Sequence, residues 1–190
     1  MLITIDGKPC ACEKGEYILA VARRNGIEIP TLCHHPAIPG QGCCRVCIVE
    51  GVEKGRSKIA TSCIYPIAGE CEVHTDSEKI IRERGMILAL LAERAPESEK
   101  VQELAARYKA PKIARFVNED TTKCVLCGLC VKACETLGSG AISTILRGTE
   151  KRVATPYDEE SPECIGCGSC ARICPTGNIE MVETDETRTI

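Results

Sequence analysis

The sequence of 190 residues has no tryptophan, one phenylalanine and four tyrosines. Aromatic side chains usually dominate core energetics, so large aromatic anchors do not carry this core. Charge of one sign is missing too: 24 Lys and Arg stand against 27 Asp and Glu, a net charge of -3, and no block of like charges forms a tail. That balance argues against a nucleic-acid partner. Long apolar runs are also absent. The longest, "MILALLA" (86–92), is far too short to cross a bilayer, and "MLITIDGKPC" lacks the basic start and apolar stretch of a secretion signal. A soluble, cytoplasmic chain without a transmembrane segment is expected. No G-x-G-x-x-G follows a strand and opens a helix, so neither a flavin or nicotinamide site nor a catalytic site of its own is expected.

Cysteine is what the chain has in excess: sixteen residues. In a reducing compartment these are poor disulfide candidates, and the chain is longer than most disulfide-stapled scaffolds. Metal ligation is the better reading, and spacing selects the metal. "CVLCGLCVKAC" carries Cys124, Cys127, Cys130 and Cys134; "CIGCGSCARIC" carries Cys164, Cys167, Cys170 and Cys174. Both read C-x2-C-x2-C-x3-C. Zinc sites favour two well-separated C-x2-C pairs, whereas three cysteines at intervals of three suit three corners of a cubane. Gly128, Gly166 and Gly168 let backbone amides approach the sulfides. In two-cluster ferredoxins the fourth cysteine of each run ligates the other cluster. That rule assigns Cys124, Cys127, Cys130 and Cys174 to one [4Fe–4S] cluster and Cys134, Cys164, Cys167 and Cys170 to a second.

Residues 116–182 thus resemble the bacterial 2[4Fe–4S] ferredoxins, with two departures. Glu135 stands where that family usually has proline, a change expected to loosen the turn after Cys134 without removing a ligand. The connection 135–163 is long, and "AISTILRGTEKRVATPY" within it reads as an inserted hairpin turning near Gly148-Thr149.

The first third is laid out differently. "MLITI" alternates like a strand and Asp6-Gly7 marks a turn. "EYILAVARRNG" reads as a short helix that buries Ile18, Val21 and Ala22 and stops at Asn25-Gly26. "VCIVE" (46–50) and "KIATS" (58–62) are strand-like. Strands around one helix fit a β-grasp ferredoxin, whose [2Fe–2S] ligands lie on a loop after the helix plus one distant cysteine. Cys33, Cys44, Cys47 and Cys63 give C-x10-C-x2-C-x15-C, longer than the plant-type opening C-x4-C-x2-C. Cys71 is the rival of Cys63 as the distant ligand.

"IPTLCHH" (29–35) and "GCCRVC" (42–47) resemble signatures of the large iron–sulfur subunit of complex I and of the small diaphorase subunit of NAD-linked hydrogenases. In that resemblance the arginine singles out Cys44, not Cys43, as the ligand. Cys10, Cys12, Cys43 and Cys71 are then small hydrophobes or spare thiols. His34 and His35 do not make a Rieske centre, because no cysteine of the set is missing.

Thr75-Asp76-Ser77-Glu78 fits a capping box with Thr75 as N-cap, opening a helix to about Glu93 with Ile80, Ile81, Ile87, Leu88 and Leu91 on its apolar face. Ser98 is placed to cap a second helix through Val101, Leu104, Ala105 and Tyr108. The complex I and diaphorase families usually carry another [4Fe–4S] site here, with one His and three Cys. Residues 72–123 hold one histidine, His74, and no cysteine, so that cluster cannot form.

The expected fold is α+β: a [2Fe–2S] ferredoxin-like domain (1–75), a helical connector (76–115) and a 2[4Fe–4S] ferredoxin-like domain (116–190). The resemblance implies an iron–sulfur electron-transfer subunit. It would relay electrons between a flavin-bearing NAD(P)(H) subunit of diaphorase type and a catalytic subunit of hydrogenase, formate dehydrogenase or transhydrogenase type, with electron bifurcation as one form of such a complex. The competing readings are a free-standing polyferredoxin shuttle and, from a different class, an iron–sulfur redox sensor. A sensor wants an output element such as a basic recognition helix, and none is evident.

Overall fold

β1 (Leu2–Ile5) turns directly into β2 (Lys8–Ala11) through Asp6 and Gly7, whose φ values of 49° and 78° are both left-handed, as tight hairpin turns demand. The computed structural model describes residues 1–53, 55–113, 122–183 and 188–189. β3 (Ile48–Glu53), β4 (Arg56–Thr61) and β5 (Glu72–His74) complete a sheet of order β2-β1-β5-β3-β4. Only β1 and β5 pair in parallel; the other neighbours are antiparallel. α1 (Ile18–Arg24) buries Ile18, Leu19, Val21 and Ala22 in one core with Ile3, Ile5, Val49 and Val73. This is the β-grasp arrangement that the alternating strands and the short helix predict.

α2 (Glu78–Arg94) and α3 (Glu99–Arg107) follow. Ser98 caps α3 as expected, accepting from the Val101 amide, a contact worth about 1 kcal/mol. The cap of α2 differs from expectation. Ser77, not Thr75, accepts from the Ile80 amide. Thr75 is engaged elsewhere: its amide and hydroxyl donate to the two Asp6 carboxylate oxygens at 2.8 and 2.6 Å. The apolar face also departs in part, since Ile81 is exposed while Arg84 lies at its centre, fully buried.

A second core joins the connector to both ends of the chain. Leu32, Cys33, Cys44 and Val46 meet Leu88, Val101, Leu104 and Tyr108, and these meet Val125, Cys127, Leu129 and Ala133. The sequence-level boundary at 115/116 lies outside the described residues.

α4 (Leu129–Thr136) and α5 (Ser169–Ile173) grow from the two cysteine runs and pack together. Each is preceded by a left-handed glycine, Gly128 (φ 75°) and Gly168 (φ 70°), so the repeat in sequence is a repeat in backbone. The missing proline has a different effect from the expected loosening. Pro175 disfavours helical backbone at Cys174, which is extended, and α5 stops at Ile173. Glu135 imposes no such restriction, and α4 runs on through Cys134 to Thr136. Between the helices, β6 (Ser143–Ile145) and β7 (Arg152–Ala154) form the expected antiparallel hairpin. β8 (Val182–Glu183) pairs with β9 (Arg188–Thr189). Among the described residues beyond Ala133, Ala141 is the one buried apolar side chain. No described helix is long and apolar enough to cross a membrane.

Candidate metal centres

Cys33 lies on the loop after α1, Cys44 and Cys47 lead into β3, and Cys63 follows β4; all four are buried. The Cys44 amide donates to Cys33 Sγ at 3.4 Å. Hydrogen bonds with the Cys43 and Cys44 thiols hold Cys33 down to about 2, and those partners are pushed up by the same bonds and by burial. The Cys63 thiol holds Cys47 down to about 7 and is itself pushed up, first by that bond and then by burial. These close, buried thiols thus shift one another in opposite directions, and thiolate is the form that binds metal.

The main chain fixes that set from two sides. Ser62, fully buried, donates its hydroxyl to the Cys47 carbonyl at 2.7 Å and its amide to the same oxygen at 3.2 Å. At Gly40 a Cβ would fall 2.7 Å from the Cys63 carbonyl oxygen, so the loop from Cys33 presses against the Cys63 backbone where only glycine fits. Arg45, itself left-handed at φ 60°, donates to Thr61 Oγ1 at 2.9 Å.

The remaining thiols of this half separate into two groups. Cys43 is exposed, touches Cys33 and donates its thiol to the Cys127 carbonyl at 3.2 Å. The other three lie elsewhere. Cys10 donates to the Lys8 carbonyl at 3.4 Å, Cys12 to the Met1 carbonyl at 3.8 Å, and Cys71 packs against the sheet core. Burial and nearby Glu53 push the Cys71 thiol up; of the other cysteines, Cys12 is the one it senses. The histidines have other partners: His34 Nδ1 meets Arg23 Nη1 at 3.0 Å, and His35 Nδ1 accepts from the Ala37 amide.

Two cavities mark the C-terminal half. One, of about 210 Å³, is bordered by Cys124, Cys127, Cys130 and Cys174. The other, of about 70 Å³, is bordered by Cys134, Cys164, Cys167 and Cys170. Each draws three thiols from one run and the fourth from the other, and Cys170 also borders the first cavity. Burial pushes Cys127 up to about 11 and Cys130 up to about 12, whereas Cys164 and Cys167 are exposed. Among the described residues no three His, Cys, Asp or Glu side chains converge on a single-ion position; the thiols border volumes instead. An all-sulfur, soft donor set around a volume fits iron–sulfur clusters.

Residues that sequence reasoning missed are Ser62, Arg84 and Gln41. Gln41 sets its side-chain oxygen where a Gly128 Cβ would meet it at 3.0 Å, bringing the N-terminal loop onto the first cysteine run. For Ser62 the available signal was its position beside Cys63.

Comparisons with known proteins agree with an N-terminal 2Fe-2S domain and a C-terminal 4Fe-4S dicluster domain. Residues 1–78 match the profile described as a 2Fe-2S iron-sulfur cluster binding domain, and residues 116–181 that of a 4Fe-4S dicluster domain. The NADP-reducing hydrogenase subunit HndD of Solidesulfovibrio fructosivorans is 31% identical over 83% of this chain and 32% of its own length. The NADPH-Fe(3+) oxidoreductase subunit alpha of Geobacter sulfurreducens is 33% identical over 77% of this chain and 20% of its own. The mitochondrial NADH-ubiquinone oxidoreductase 78 kDa subunit of Candida albicans is 28% identical over 80% and 25%. The chain therefore spans a third or less of the length of these relatives. A chain in a crystal structure of NAD+-reducing [NiFe]-hydrogenase in the H2-reduced state superposes with a TM-score of 0.78 at 28% identity, covering 93% of this chain and 85% of that one.

Proposed function

Because the chain joins a 2Fe-2S cluster-binding domain to a 4Fe-4S dicluster domain and resembles iron–sulfur subunits of complex I and NAD(P)-linked hydrogenases, we propose that it is an electron-transfer subunit. It relays electrons between a flavin-bearing NAD(P)(H) subunit and a catalytic redox subunit. Hydrogenase-type partners have the most support, from the names of the relatives; formate dehydrogenase and transhydrogenase partners and a bifurcating assembly are the alternatives. The working division is 1–75, 76–115 and 116–190.

Cys33, Cys44, Cys47 and Cys63 are the proposed [2Fe–2S] ligands. Cys124, Cys127, Cys130 and Cys174 are those of one [4Fe–4S] cluster, and Cys134, Cys164, Cys167 and Cys170 those of the other. Cys44 is preferred to Cys43 because it is buried with the other three. When bound, such clusters supply reversible one-electron acceptance. The chain would hold them near one another and keep water from six of their twelve ligands, the four N-terminal ones with Cys127 and Cys130.

The single observation that carries this reading is continuity. The Cys43 thiol, against Cys33, donates to the Cys127 carbonyl, and Cys170 borders both C-terminal cavities. Cys43 thus links the first cysteine set to the backbone of the second, and the second and third share a bordering thiol; such closeness suits electron hopping between centres.

Anaerobically purified chain is expected to hold about ten irons, two plus four plus four. Alone it is expected to reduce no dye from NADH or NADPH; with its flavin-bearing partner added, its clusters exchange electrons with the nucleotide. Iron analysis, EPR and dye reduction read these outcomes. Zinc in place of iron, or robust NADH-linked dye reduction by the flavin-free chain, would sink the proposal.

A further inference from the structure

The one fully buried charged side chain among the described residues is Arg84, in the middle of α2. Its Nε donates to the Val46 carbonyl at 3.0 Å. Nη2 donates to the Ile48 carbonyl at 2.7 Å and the Thr75 carbonyl at 2.9 Å. Nη1 meets Asp76 Oδ1 at 2.6 Å, and the Tyr108 ring lies 4.6 Å from the guanidinium carbon. A buried guanidinium survives when its fork of donors is satisfied, and here all three nitrogens are engaged.

Stability alone is a poor reason for such a group. Apolar residues of similar volume commonly serve a core as well or better than a buried ion pair. What the arginine adds is placement. Val46 and Ile48 flank Cys47 in the chain, so the fork grips the backbone on both sides of that thiol. The Cys47 carbonyl, pointing the other way, takes both Ser62 bonds, and Ser62 precedes Cys63. One guanidinium is therefore linked, through the backbone at Cys47 and Ser62, to two of the four buried thiols. Its carboxylate partner among the described residues, Asp76, is 52% exposed, so that negative charge is shared with water. The positive charge, held on the backbone carbonyls either side of Cys47, is thus less compensated than in a buried pair.

We propose that Arg84 is a positioning residue for the cluster held by Cys33, Cys44, Cys47 and Cys63, fixing the Cys47–Cys63 spacing and raising the cluster's reduction potential from behind Cys47. This rests on the [2Fe–2S] reading of those thiols. Positive charge near a cluster favours the reduced, more negative form. Losing it lowers the midpoint, and losing the neighbouring negative charge raises it.

The test is EPR-monitored redox titration of the full chain, anaerobically purified, as wild type and as Arg84→Met, Arg84→Lys and Asp76→Asn. Arg84→Met is expected to lower the [2Fe–2S] midpoint and change its line shape, with both [4Fe–4S] signals unmoved. Arg84→Lys keeps the charge without the fork, so it restores the midpoint more fully than the line shape. Asp76→Asn shifts the midpoint upward. If Arg84→Met does not fold, Asp76→Asn decides alone: an unmoved midpoint overturns the proposal. A folded Arg84→Met that loses thermal stability but keeps the wild-type midpoint and line shape overturns it too. A wild-type chain with no [2Fe–2S] signal would sink the underlying reading, and this one with it; a normal signal indifferent to all three variants removes Arg84's role alone.

Discussion

Cys63→Ser is expected to abolish the [2Fe–2S] EPR signal and remove about two irons per chain, while Cys71→Ser leaves both intact. Spacing alone left these two cysteines as rivals. Their surroundings separate them. Cys63 is buried, hydrogen-bonded to Cys47 and influenced by Cys33 and Cys44. Cys71 lies against the sheet core and senses Glu53, Cys12 and Lys58 instead. Cys43→Ser is the informative control, because Cys43 touches Cys33 yet faces solvent. Its loss should leave the iron count unchanged. A signal lost in Cys71→Ser and kept in Cys63→Ser would reverse the ligand choice.

Cys134→Ser is expected to remove about four irons and one of the two [4Fe–4S] signals. The prediction depends on the crossing of the runs. Cys134 comes from the first run but borders the cavity of Cys164, Cys167 and Cys170, and Cys174 makes the reverse exchange. A double variant separates the arrangements. If the fourth ligands cross, Cys134→Ser and Cys164→Ser damage the same site, and the double variant still loses about four irons. If each run fills its own site, the double variant loses about eight. In the assembled complex, Cys134→Ser is also expected to block or slow electron flow, measured as partner-dependent dye reduction. Unchanged iron and full flow would show that Cys134 is not a ligand.

What was legible beforehand was local. The β1 strand, the α1 stop at Asn25-Gly26, the Ser98 cap and the β6–β7 hairpin are each specified by residues next to one another in the chain. The two cysteine runs were legible for a different reason: their spacing is itself the signal, and the cavities bordered by Cys124, Cys127, Cys130 and Cys174 and by Cys134, Cys164, Cys167 and Cys170 are compatible with the proposed crossing. The errors came from contacts at long range. Thr75 satisfied the capping pattern, but Asp6, sixty-nine positions away, claims its hydroxyl and amide. The burial of Arg84 is not legible in composition, because its carbonyl partners Val46 and Ile48 lie just before and at the start of a distant strand and main-chain acceptors leave no mark there. The one hint was its place between Ile80 and Leu88 on the same helical face. The contact of Cys43 with Cys127, eighty-four positions apart, had no signal at all.

The scarcity of buried apolar side chains beyond Ala133 has a consequence for biogenesis. Apolar burial supplies most of what holds an ordinary domain against chain entropy, and from Cys134 onward the described chain contributes only Ala141. On the proposed reading, iron and sulfide would take the place of the missing core. Each inserted cluster would act as a four-way cross-link between segments some forty residues apart, closing loops that side chains alone leave open. Because Cys134 and Cys174 each belong to the opposite cavity, the two cross-links are interlocked. Oxidative loss of one cluster would release a strand of the other's cage, so damage spreads as unfolding. Proteolysis of aerobically bleached chain should accordingly begin after Ala133 and spare the sheet.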